Sequence, residues 1–158
     1  MTYKCIVVGY DGSDASRIAV NRALELARTL KARMVIATVV PPPTVFLGEL
    51  LVPEVIDTSS MEEEAHKRLK AIIAELGQGD VAVEEAVLMG DPADEIVGFA
   101  ESNNCDLIVV GRRGKGGLER LILGSVSSKI VSISHNVDVL VVETGSKEER
   151  PGKPAGRT

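Results

Sequence analysis

The sequence predicts an α/β fold: a single-domain, open, five-stranded parallel sheet flanked by four helices, doubly wound. Three observations predict it. Strand-like and helix-like stretches alternate along almost the whole chain. The strand candidates are near-continuous aliphatic runs, the pattern of strands buried on both faces. The 44% hydrophobic content is carried by Val, Ile, Leu and Ala, with only 3% aromatic residues and no tryptophan. A chain of 158 residues suits one domain with one core.

Each element has its own signature. Lys4 to Gly9 (KCIVVG) is a continuous apolar strand. Ser13 to Leu30 places Ile18, Ala19, Ala23, Leu26, Ala27 and Leu30 on one helical face. Arg33 to Val40 is the second strand, stopped by Pro41-Pro42-Pro43, which cannot sit in a central ladder. Residues 41–57 are apolar yet rich in proline and glycine and read as one long irregular segment. Thr58 to Leu76 carries the stripe Met61, Ala65, Leu69, Ile72, Ile73, Leu76 and ends at Gly77-Gln78-Gly79. Val81 to Leu88 is the third strand, and Asp91-Pro92 opens the third helix as N-cap and first-turn proline, running to about Asn103. Asp106 to Val110 is the fourth strand, Leu121 to Ser134 the fourth helix and Val137 to Val142 the fifth strand. Residues 1–143 form the domain, and 144–158 read as a disordered polar tail.

Composition excludes several roles. A net charge of −5 opposes nonspecific nucleic-acid binding, and the scarcity of aromatics opposes base stacking on single strands. No apolar run approaches the ~20 residues that cross a bilayer, and the N-terminus enters a strand directly without a signal-peptide pattern. The expected location is cytoplasmic. Cys5 and Cys105 show no metal-ligand spacing and are expected to be reduced, small apolar core residues.

Within this acidic chain, residues 111–120 hold four cations (Arg112, Arg113, Lys115, Arg120) against Glu119, a local charge of +3. The same stretch, Gly111-Arg-Arg-Gly-Lys-Gly-Gly117, follows a strand, and Gly124-Ser125-Val126-Ser127 opens a helix shortly after. Glycine lets backbone N–H groups approach an anion, and a helix N-terminus adds a favourable dipole. A phosphate site is the reading. Gly114-Lys115-Gly116 lacks the hydroxyl residue that a Walker loop requires after lysine. Gly9-Tyr-Asp-Gly12 lacks the dinucleotide fingerprint spacing. In open sheets of this kind ligands bind beyond the carboxyl ends of strands, so Gly9 and Gly111 are expected to face one crevice if their strands are neighbours.

The pattern G-x2-G-x9-G-[ST] at Gly111, Gly114, Gly124 and Ser125 resembles the ATP-binding branch of the universal stress protein family. Val7-Val-Gly-Tyr-Asp-Gly-Ser13, Gly90-Asp-Pro-Ala93 and Leu123-Gly-Ser-Val126 extend the likeness to about residues 3–143. The resemblance implies an adenine nucleotide alpha hydrolase-like sheet and ATP in an extended crevice; Mg²⁺ is expected with ATP because it binds through phosphates with few protein ligands. The resemblance implies Asp11 near the adenosine end or the metal-bound phosphates, and Val39 or Val40 offering backbone groups to adenine; Gly9 is carried as a further cofactor-binding residue. It implies Gly111 and Gly114 around ribose and phosphate, and Gly124, Ser125, Val126 and Ser127 on the outer phosphates. It implies a homodimer through the fifth strand, 137–142, where Asp138 stands in place of a common proline.

The residues also have plainer readings. Asp11 suits a turn or cap before the first helix, and Ser13 suits the N-cap itself. The resemblance gives Arg112 and Arg113 no role: a guanidinium there can fork onto a phosphate, or both can be solvated rim charges, and Arg112 is carried as a candidate contact. His66 falls on a solvated helix face, His135 suits a C-terminal cap, and Glu62 to Glu64 suit the helix dipole. The two histidines assemble no Ser/His/Asp set. The expected function is an ATP-binding stress-response sensor or regulator. A slow ATPase or autophosphorylating protein, and a nucleotide-free dimeric scaffold, stand as alternatives.

Overall fold

The computed structural model describes residues 2–42, 44–47, 50–53, 59–77, 79–112 and 124–144. Its strands are β1 (Cys5–Gly9), β2 (Arg33–Val40), β3 (Thr44–Leu47), β4 (Leu50–Pro53), β5 (Val83–Met89), β6 (Leu107–Gly111) and β7 (Asp138–Val142). The helices are α1 (Asp14–Leu30), α2 (Ser59–Leu76), α3 (Pro92–Ser102) and α4 (Ser125–Ile133). The main sheet has five strands in the order β5-β2-β1-β6-β7, and every neighbouring pair is parallel. The chain builds outward from β1 through β2 to β5, then returns to the other side of β1 for β6 and β7. The switch point therefore lies between β1 and β6, which pair Ile6↔Leu107, Val7↔Ile108 and Val8↔Val109. This is the five-stranded doubly wound sheet the alternation predicts.

Strand alternation divides the core in two. Ile6, Val8, Met34, Ile36, Leu107 and Val109 meet α1 and α2 through Ile18, Ala23, Ala27, Leu69 and Ile72. Val7, Val35, Ala37, Ile108 and Val110 point the other way and meet Ile96, Val97, Ala100 and Ile130 of α3 and α4. Fully burying a Val, Leu or Ile side chain is worth about 1.5–3 kcal/mol each, which is why both-face-apolar strands choose this sandwich.

The N-caps of α1 and α3 stand where the sequence places them. The Ser13 side chain accepts the Ser16 N–H, and Asp91 accepts the Asp94 N–H at 3.1 Å. Lys31 closes α1 in the left-handed region (φ 56°), a position usually given to glycine. Lys129 of α4 reaches Asp91 at 3.0 Å and Asp94 at 3.2 Å, tying α4 to the start of α3. Ser134, not His135, is the cap of α4, and His135 is exposed. The predicted start of that helix at Leu121 lies outside the described residues, as do residues 145–158 of the predicted tail.

Two expectations are corrected. The segment 41–57 contains regular structure, an antiparallel ribbon in which Thr44↔Pro53 through Leu47↔Leu50 are paired. His66 is exposed on its helix face, as expected, with Nδ1 2.9 Å from Oε1 of Glu85 on β5. Cys5 and Cys105 are joined in a disulfide, their Cα atoms 4.5 Å apart. The expectation of burial holds, at 2% and 3% exposure. The expectation of free thiols fails because β1–β6 pairing aligns positions 101 residues apart, which brings Cys105 next to Cys5. The Asp106 N–H donates to the Cys5 carbonyl at 3.1 Å, so Cys105 arrives directly beside Cys5.

Candidate functional site

One open crevice of about 1030 Å³ lies at the carboxyl ends of β1, β2 and β6, over the switch point. Its floor is the turn Gly9-Tyr10-Asp11-Gly12-Ser13. Gly12 takes φ +86°, which lets the chain fold back so that the Asp11 carboxylate accepts the Ser13 N–H at 2.9 Å. Ser16, 7% exposed, lies beneath: its Oγ is 2.9 Å from Asp11 Oδ1 and accepts the Asp11 N–H at 3.3 Å. Partial burial acts most on the Asp11 carboxyl and raises its pKa. The bonds to Ser13, to Ser16 and to its own N–H together outweigh burial, so the net value lies below the ordinary one. Asp11 is thus held ionised and oriented.

The edge of β2 supplies the second wall. The Tyr10 N–H donates to the Ala37 carbonyl on the β1 side, and the Gly90 N–H donates to the Val40 carbonyl on the β5 side. In a parallel ladder successive residues face alternate neighbours. The Val39 N–H and C=O therefore turn toward the β1 side, past the point where β1 ends at Gly9. A longer β1 would offer its Tyr10 carbonyl there, but that carbonyl accepts the buried Thr38 hydroxyl at 2.7 Å. Val39 lines the crevice, whereas Val40 is buried at 6% and bonded to the β5 side. The sequence leaves these two valines open; backbone parity separates them.

The third wall is the end of β6 and the start of α4. Gly111 packs so closely on α1 that a Cβ there would lie 2.4 Å from the Ala15 carbonyl oxygen. Gly124 is the N-cap of α4 and provides no side-chain cap. The Ser127 hydroxyl donates back to the Gly124 carbonyl at 3.1 Å and leaves the first-turn N–H groups uncapped by it. The other two helices that begin at the crevice differ: α1 is capped by Ser13 and α3 by Asp91. The favourable place for an anion is the α4 end.

A sequence model of the universal stress protein family matches residues 2–143. The chain belongs to the universal stress protein family. Universal stress protein MJ0531 of Methanocaldococcus jannaschii is 41% identical over 149 residues, covering 92% of this chain and 85% of the relative. Stress response protein NhaX of Bacillus subtilis is 32% identical over 161 residues, covering 87% and 96%. Among solved structures, a universal stress protein in complex with cAMP aligns with a TM-score of 0.65 at 30% identity, over 91% of this chain and 99% of that one. The protein MJ0577 aligns with a TM-score of 0.69 at 26% identity, over 90% and 97%.

In this universal stress protein the fold gathers most of the residues singled out from sequence. Gly9, Asp11, Val39, Gly111, Gly124, Val126 and Ser127 all line the crevice. Ser125 is exposed at the first position of α4, beside the lining residues and not among them. Arg112 turns toward the β7 side, with its N–H on the Val142 carbonyl at 2.8 Å and its guanidinium 3.0 Å from Glu143. Gly114 and Arg113 lie outside the described residues. Sequence reasoning missed Ser16 and Thr38, which brace the floor; the recurring Ser13-x-x-Ser16 spacing is a visible signal for the first only. It also missed Ile96 of α3, an apolar wall beside Gly9.

Proposed function

We propose that this universal stress protein binds an adenine nucleotide, ATP with Mg²⁺, in the switch-point crevice and acts as a cytoplasmic, homodimeric regulator. The observation that carries the reading is the joint placement on one crevice of the β1-facing Val39 backbone edge and the α4 N-terminus, neither of which is paired or side-chain-capped among the described residues. An amide edge reads the donor–acceptor pattern of a base, and an uncapped helix start receives phosphate oxygens. A relative bound to cAMP supports an adenine-nucleotide ligand. That relative also favours a second reading, in which cAMP is the preferred occupant of the same crevice.

The residues fit the group. Val39 would hold adenine, the Gly9–Asp11 turn would lie along the nucleoside, and Gly124 to Ser127 would hold the outer phosphates. ATP supplies a phosphoanhydride, and Mg²⁺ binds chiefly through phosphate oxygens and water with few protein ligands. The crevice-lining carboxylates among the described residues are Asp11 and Asp14. Asp11, held below its ordinary pKa, is a weak proton acceptor near neutrality. That chemistry supports a retained ligand over rapid hydrolysis. Among the described residues β7 pairs only with β6, and its outer edge at the end of the sheet order supports pairing with a second copy.

Gly124→Val tests the phosphate end. Gly124 has φ −60°, which valine adopts without strain, so the fold should persist while the new side chain fills the anion's space. Small molecules released on denaturing the purified wild type should include ATP by mass spectrometry, and the variant should release none. Equal ATP content in both proteins would refute the assignment.

A further inference from the structure

The nucleotide reading leaves the Cys5–Cys105 pair without a role. We propose that these two residues are a peroxide-responsive thiol pair whose oxidation staples the central strands β1 and β6 beneath the crevice. Four features of their placement carry the inference. The bridge joins the first residue of β1 to Cys105, two residues before β6, and the other ends of these strands bear the Gly9–Asp11 turn and Gly111. The strands do not need the bridge to pair: the Asp106 carboxylate accepts the Lys4 and Cys5 N–H groups at 3.1 Å, and the ladder continues beyond. Both sulfurs sit in the apolar layer beside Ala100, Ile108 and Val137, where two thiols are equally at home. Cys105 follows an exposed turn, Asn103-Asn104, in which Asn104 takes φ 55°. Local opening of that short turn exposes one sulfur without unfolding the sheet.

The chemistry balances with hydrogen peroxide as oxidant. One thiolate attacks the peroxide, giving a sulfenic acid and a first water; the second thiol attacks that sulfur, forming the S–S bond and releasing a second water. Two thiols and one peroxide become one disulfide and two waters. A reducing dithiol returns both electrons by exchange. The consequence is a change in stability with no change in topology. A crosslink spanning 100 residues removes much loop entropy from the unfolded chain. Reduction should therefore lower Tm by about 9–19 °C in a domain of this size.

The test uses the full chain without nucleotide, so that its result is independent of the ligand assignment. Protein reduced with dithiothreitol is split, and half is treated with hydrogen peroxide. The expected results are a Cys5–Cys105 crosslinked peptide and no titratable thiol in the treated half, two thiols in the other, and a Tm gap in the stated range. Cys105→Ala, a small apolar replacement, should melt like the reduced wild type and show no Tm response to either reagent. Two free thiols after peroxide, a gap below about 2 °C, or a bridge that native protein retains in excess dithiothreitol would each overturn the proposal.

Discussion

Gly111→Ala separates a packing role from a ligand role at the residue with which the glycine motif begins. A Cβ at position 111 would stand 2.4 Å from the Ala15 carbonyl oxygen and 2.8 Å from its carbonyl carbon. Ordinary contact begins near 3.4 Å, so β6 and the first turn of α1 must separate by about an ångström. The obstructing atoms are backbone and cannot rotate away. Overpacking costs about 1–3 kcal/mol, and a backbone clash belongs at the upper end, about 3 kcal/mol. At roughly 2–4 °C per kcal/mol for a domain of this size, Tm should fall by about 6–12 °C. Gly9→Ala is the internal control. Its Cβ would meet the flexible Ile96 Cδ1 at 3.2 Å, and the expected cost is below about 1 kcal/mol. Thermal and urea unfolding of nucleotide-free protein, followed by circular dichroism, measures both. A Gly111→Ala protein that melts within about 1 °C of wild type would refute the packing argument and leave ligand approach as the only reason for that glycine.

Two further outcomes follow from the helix ends. Lys31→Gly should stabilise the protein by about 0.5–1 kcal/mol in urea melts, because it relieves a left-handed residue at the α1 C-cap; a destabilised variant would contradict this. The Asp91 carboxyl is held below its ordinary pKa first by the Asp94 N–H and then by Lys129. A depressed folded pKa contributes stability that is present above about pH 4, the unfolded value, and is lost as pH falls through the folded one. Asp91→Asn should therefore melt below wild type near neutrality, with a gap that closes as pH drops toward the folded pKa; a gap that is constant with pH would contradict the charge argument.

The fold was legible because its causes are local or periodic. Ile6-Val-Val8 and Leu107-Ile-Val-Val110 can be satisfied only by burial on both faces, and Ser13 and Asp91 mark helix starts by their own hydrogen bonding. The crevice was legible in outline, since glycines at two strand ends converge once β1 and β6 are neighbours. What stayed hidden depends on register. Val39 and Val40 are chemically identical, and only ladder parity tells which one presents its amide edge to the crevice. The disulfide required knowing that Asp106 bonds to Cys5, a contact spanning about a hundred residues with no local trace. The ribbon at 44–53 was obscured because Pro41 to Pro43 and Pro53 read as strand breakers, although proline is tolerated at a strand end. The sequence leaves Arg112 open between a phosphate contact and a rim charge, and its ion pair with Glu143, just past β7, depends on strand order rather than local sequence.

The proposed function puts an adenine nucleotide in the crevice between the Val39 edge and the α4 N-terminus. Isothermal titration of nucleotide-stripped protein with ATP and Mg²⁺, repeated with cAMP, tests it most directly. Wild type should bind one nucleotide per chain saturably, and Gly124→Val of unchanged fold should bind no ATP. No binding of either nucleotide by folded wild-type protein would contradict it.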